Sequence, residues 1–82
     1  MDEKEYETAL TVAEVLTNFL PDDSQIYYFM ARAGAGAGKK KQAEKYLKQA
    51  IQKGLALNKR IEEDELLLKV FSGEEMRKLF GK

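Results

Sequence analysis

The sequence predicts an all-α protein. Three observations carry that expectation. Apolar residues recur at helical spacing in every long segment, the segments are divided by residues that stop or start helices, and no strand pattern of any length intervenes.

From Glu3 to Leu20, the residues Tyr6, Ala9, Leu10, Val12, Ala13, Leu16, Phe19 and Leu20 form the i, i+3, i+4, i+7 stripe of an amphipathic helix. Acids crowd its first turn, where the helix dipole favours them. Pro21 ends it, and Asp22, Asp23 and Ser24 offer oxygens to cap a second helix. That helix carries Ile26, Tyr27, Phe29, Met30 and Ala33 before it dissolves into glycines within AGAGAGKKK, residues 33–41. A third helix restarts after Gly38 and runs to about Lys53 with Ala43, Tyr46, Leu47, Ala50 and Ile51 on one face. Gly54 fits the left-handed position past its end. Leu55 to Lys59 reads as a connection and Ile61 to Phe71 as a short apolar helix. Ser72 with Glu75 forms a capping box that opens a last helix through Met76, Leu79 and Phe80. The total is four to five helices.

Composition narrows the function classes. A chain of 82 residues buries only about 60–65 % of its unfolded surface, so its core is thin. With no cysteine and no histidine, it has no disulfide framework, no thiolate or imidazole metal site and no triad built on those residues. A reducing, cytoplasmic setting is the expectation. No apolar run reaches membrane-span length, and the acidic N-terminus is unlike a secretory leader.

Charge is balanced overall, with 14 bases against 14 acids, but segmented along the chain. Residues 1–24 hold seven acids and one base, residues 39–60 eight bases and one acid, and residues 61–82 six acids and four bases. Such a pattern suits successive helices with complementary faces better than a nucleic-acid surface, which needs more positive charge interleaved with aromatics.

The segment AGAGAGKKK invites a phosphate-loop reading. That loop needs GxxxxGK followed by Ser or Thr, between a strand and a helix. Gly38 and Lys39 supply the GK pair, but Ala33 stands at the first glycine, Lys40 at the hydroxyl, and a helix precedes. As a turn the segment has a use, since glycines weaken a helix end. The lysines after it would sit badly at a helix N-terminus unless acids, such as those of the first helix, lie near. The acidic clusters at 22–23 and 62–64 lack the alternating ligands of a calcium loop, because leucines fill the needed positions in EEDELLL. No catalytic, metal or cofactor residues are assigned.

Slid against itself by 34 residues, the chain places Ala9 on Ala43, Val12 on Tyr46, Ala13 on Leu47 and Leu16 on Ala50. A 34-residue period of paired helices is the mark of tetratricopeptide repeats. Over residues 24–57, Tyr27 stands at that repeat's leading aromatic, Met30 and Ala31 at its usual Leu-Gly, and Gly38 at the inter-helix turn. Ala43, Leu47 and Ala50 follow its small, large, small pattern. Gly34 takes the place of a common aromatic, and Leu55 that of the closing proline. EYETAL resembles the opening of a second repeat helix, and IEEDELLLKVFSGEEMRKLF is similar to segments that close bacterial repeat arrays.

The chain therefore resembles the tetratricopeptide (TPR) family. The resemblance implies antiparallel helical hairpins of α-solenoid type, with a half repeat at 3–20, a full repeat at 24–57 and a cap at 58–82. It implies a protein-interaction module rather than an enzyme, binding a peptide or partner protein in a groove lined by Gln25, Tyr28 and Arg32, with Ala35 and Gly36 as a shallow floor. Tyr27 would be core, and Tyr28, one residue on, would turn away from the partner helix. Lys39 and Lys40 mark the edge where an acidic neighbour would arrive. The alternative is an assembly element that self-associates through the unpaired first helix. Neither reading involves nucleic acid, a membrane or a cofactor.

Overall fold

The computed structural model describes residues 3–81 and is all-helical, with no strand among them. Three longer helices come first: α1 (Glu3–Leu16), α2 (Ser24–Gly36) and α3 (Lys40–Gln52). A short α4 (Lys59–Glu62), a 3-10 turn (Leu67–Lys69) and α5 (Gly73–Leu79) follow. The connections before and after α2 are short, so the three long helices run antiparallel in sequence. The middle one has a neighbour on each side.

The boundaries have local causes. The Asp23 carboxylate accepts from the Gln25 amide at 2.9 Å and opens α2. At its other end, Gly38 takes φ +76° and Lys39 N donates to Gly34 O at 2.9 Å, a Schellman closure that an L-residue with a side chain would strain. The same closure ends α3, where Leu55 N donates to Ala50 O at 3.0 Å beside Gly54. Ser72 and Glu75 form the expected capping box, with reciprocal bonds of 3.0 Å.

Three sequence expectations need correction. The first helix stops at Leu16, and residues 17–19 close it as turns ahead of Pro21. The second helix does not dissolve at Ala33 but holds its form through Gly36, because its small residues are packed. The apolar helix expected over 61–71 is broken in two. Asn58 caps α4 early, through Ile61 N at 2.9 Å, and the Asp64 carboxylate takes the amides of Leu66 and Leu67, at 3.0 and 3.2 Å, to start the 3-10 turn.

Helix α2 divides the core. Met30 and Ala33 pack with Leu10 and Ala13 of α1. Tyr28, Ala31 and Ala35 pack with Ala43, Leu47 and Ala50 of α3 and with Ile61, Leu67, Phe71 and Met76 of the C-terminal segment. Tyr27 and Tyr46 touch both groups. Two glycines allow this crowding. A Cβ on Gly34 would stand 3.2 Å from the Ala43 backbone nitrogen, and one on Gly36 would stand 2.5–2.8 Å from the Tyr6 ring. Ala35 and Gly36 are therefore not a groove floor: Ala35 is buried and Gly36 lies against Tyr6.

The Gly36 contact yields a sign test. Gly36→Ala should lower stability by about 1–2 kcal/mol, since an inserted methyl forces the Tyr6 ring aside. In a Tyr6→Ala background the same change should raise stability, by up to about 1 kcal/mol, because only helix propensity remains. Urea unfolding of the four proteins of the cycle measures both signs.

Candidate functional site

Tyr28 and Arg32, the centre of the groove expected from sequence, both turn to one acceptor. Asp64 reaches α2 from the bend after α4. Its carboxylate is only 7 % exposed, accepts the Tyr28 hydroxyl at 2.7 Å, and stands 2.7 Å from Arg32 Nε. The Nε–H is not aligned on that oxygen, so Arg32 contributes as a charge more than as a directed donor. Its guanidinium also lies 5.8 Å from the Tyr28 ring centroid. Tyr28 is buried, not turned away from the core as expected. A partner engaging this pair would have to displace the protein's own carboxylate.

The remaining residues of the expected site disperse. Lys39 Nζ lies 2.7 Å from Glu7 Oε1 of α1, and Lys40 Nζ lies 2.8 Å from Glu75 Oε2 of α5. The acids expected near the lysines are thus present. Further contacts join the acidic first segment to the basic third helix: Tyr46 donates to Glu14 at 2.7 Å, and Lys53 to Asp22 at 3.2 Å. Exposed ion pairs of this kind contribute between zero and about 1 kcal/mol each. The ties to α1 and Pro21's neighbours fix its register more than they stabilise it.

Gln25 is exposed and lies elsewhere, on an apolar cleft between α1 and α2. Val12, Ala13, Leu16, Ile26 and Phe29 form the rest of that cleft, with a volume of about 300 Å³. Of its lining, Val12 is 56 % exposed and Leu16 and Phe29 are open to solvent, and Val15, Phe19 and Leu20 are further exposed apolar residues of the first segment. Contiguous exposed apolar patches are uncommon on small soluble domains. Ile26 and Phe29 escaped the sequence reading because their stripe looked like core.

Among the described residues, no group of three or more acids is arranged to hold a metal, and no helix is long and apolar enough to cross a membrane. The chain matches no protein-family model, no curated protein and no solved structure.

Burial pushes the Tyr28 phenol up to about 12, aided by the Asp64 hydrogen bond and charge and opposed by Arg32 and Arg60. Burial also pushes Tyr46 up to about 12, aided by Glu14. Lys40, with the Ser72 backbone, holds the Glu75 carboxyl below its ordinary range.

A phenol raised from 10.0 favours the fold below that pH, and its contribution is lost as pH climbs from 10.0 through about 12. Tyr28→Phe and Tyr46→Phe should each flatten the alkaline fall in stability and remove one late phenol from an ultraviolet titration. Asp64→Ala should cost about 2–4 kcal/mol in urea unfolding, since it leaves the Tyr28 hydroxyl and the Arg32 charge without their acceptor. Asp64→Asn should bring the late Tyr28 step down in pH without restoring it fully, because burial is the larger cause.

Proposed function

We propose that the chain is a non-catalytic protein-interaction module of TPR type, acting in the cytoplasm on a protein or peptide partner. One observation carries the reading: the cleft between α1 and α2, where Val12, Leu16 and Phe29 line the wall and are exposed. The antiparallel pairing of α2 with α3 across Gly38, and the 34-residue offset that carries the α3 stripe onto α1, support the repeat character.

Of the residues expected to bind, Gln25 lines this cleft. Tyr28 and Arg32 hold Asp64, while Lys39 and Lys40 hold Glu7 and Glu75, so substitutions at these four also disturb the fold. The same exposed face supports the alternative, an assembly element that pairs through α1. Solution mass separates the two.

Val12→Ser and Phe19→Ser remove apolar surface without touching the buried core, so unfolding free energy should change by no more than about 0.5 kcal/mol. The wild type should either capture a specific partner or gain mass with concentration by light scattering, and both variants should abolish whichever occurs. A wild type that does neither sinks the reading.

A further inference from the structure

We infer that α1 is a hinged lid, which opens as one unit while the core formed by α2, α3 and the C-terminal segment stays closed. The inference concerns how the fold moves and stands apart from the interaction-module reading.

The apolar contacts divide along that line. The larger cluster joins α2, α3 and the C-terminal segment and contains no residue of α1. Ile61, Leu67, Phe71 and Met76 anchor the C-terminal segment in it, each no more than 3 % exposed, so those short helices share one core with α3. Helix α1 sits on α2 through a separate cluster, in which Leu10 and Ala13 meet Met30 and Ala33, and the Tyr6 ring lies against Gly36 beside it. Tyr27 and Tyr46, both partly buried, bridge the two. Opening α1 therefore uncovers the row Met30, Ala33 and Gly36 on α2 and leaves the buried residues of the larger cluster in contact with one another. A helix of 14 residues is marginal on its own in water, so α1 loses its helical bonds together once it leaves α2.

The hinge and the catch are also on separate parts of the chain. No residue from Glu14 to Tyr27 is buried, and Pro21 falls within this stretch, where the backbone passes through turns between the two helices. The chain can bend there without disturbing packed side chains. Along its other edge α1 is held by a ladder of exposed polar contacts, Glu7 with Lys39, Glu14 with Tyr46 and Asp22 with Lys53, at separations of 32, 32 and 31 residues. The near-constant separation sets α1 parallel to α3 in one register. Two of the three rungs pair opposite charges, so salt loosens this edge and leaves the apolar core unaffected.

Native-state hydrogen exchange, followed residue by residue on the intact chain in about 0.1 M and about 1 M sodium chloride, tests the lid. The amides of Leu10, Val12 and Ala13 should share one protection factor, at least about tenfold below that of Leu47 and Ala50. The higher salt should speed exchange in α1 by about threefold to tenfold and leave Leu47 and Ala50 unchanged. Glu7→Gln should reproduce part of that gain at low salt, and Leu10→Ala should speed exchange in α1 alone. Equal protection of α1 and α3, or a Leu10→Ala chain in which both lose protection together, would make the domain a single cooperative unit and overturn the lid. A salt response spread evenly over the chain would overturn the ionic catch.

Discussion

The distance at which other elements can approach α2 governs the rest of the fold. Helix axes come close only where side chains are short, and α2 has neighbours on two sides as well as a cap across one end. Its second half supplies the short side chains in alternation. Ala31 and Ala35 serve the α3 side, Gly34 meets the Ala43 backbone, Ala33 meets α1, and Gly36 accepts the flat ring of Tyr6. A larger residue at any of these positions would separate two helices at once. In a core of this size few other contacts exist to compensate.

This constraint explains which features could be read in the sequence and which could not. Gly38, Gly54 and the Ser72–Glu75 box are local signals, since each depends on backbone conformation within a few residues, and the structure has all three where expected. The length of α2 could not be read locally. Three glycines lower helix propensity, and only the packing of α1 and α3 on them restores what propensity loses. Asp64 was hidden for a similar reason. Within EEDELLLKVF it reads as one acid of a cluster that caps a helix end and faces solvent, and nothing nearby in sequence shows that Tyr28 and Arg32, more than thirty residues earlier, converge on it.

Asp64 shows how a segment of little regular structure can close the domain. Burying a carboxylate is unfavourable unless charge and donors meet it, and here four groups do. Two backbone amides start the 3-10 turn at one oxygen, and Tyr28 and Arg32 approach the other. The carboxylate thereby sets the path of the chain just where Leu67 and Phe71 must drop onto α2 and α3. Tyrosine and arginine, residue types that dominate many interfaces, are used internally for the same qualities that serve binding: a flat apolar body and a charged or hydroxyl tip.

The cap and the cleft consequently differ in kind. On the capped side of α2 the apolar surface is covered and its polar groups are matched, so a competitor would first have to remove Asp64. On the α1 side the covering is incomplete. Leu10, Ala13 and Tyr6 hold α1 to α2 through one face, while Val12, Val15, Leu16 and Phe19 remain in water on the other. Ion pairs from Glu7 and Asp22 to the third helix guide α1 but add little energy in exposed positions. Apolar surface is left where the chain's own packing runs out, and it adjoins the α1–α2 cluster rather than standing apart from it. An occupant of that cleft would bury Val12 and Leu16 beside Ala13 and Ile26, extending this core instead of forming a separate contact. Binding there would stabilise α1 on α2 by mass action, linking the strength of the interaction to the stability of that pairing.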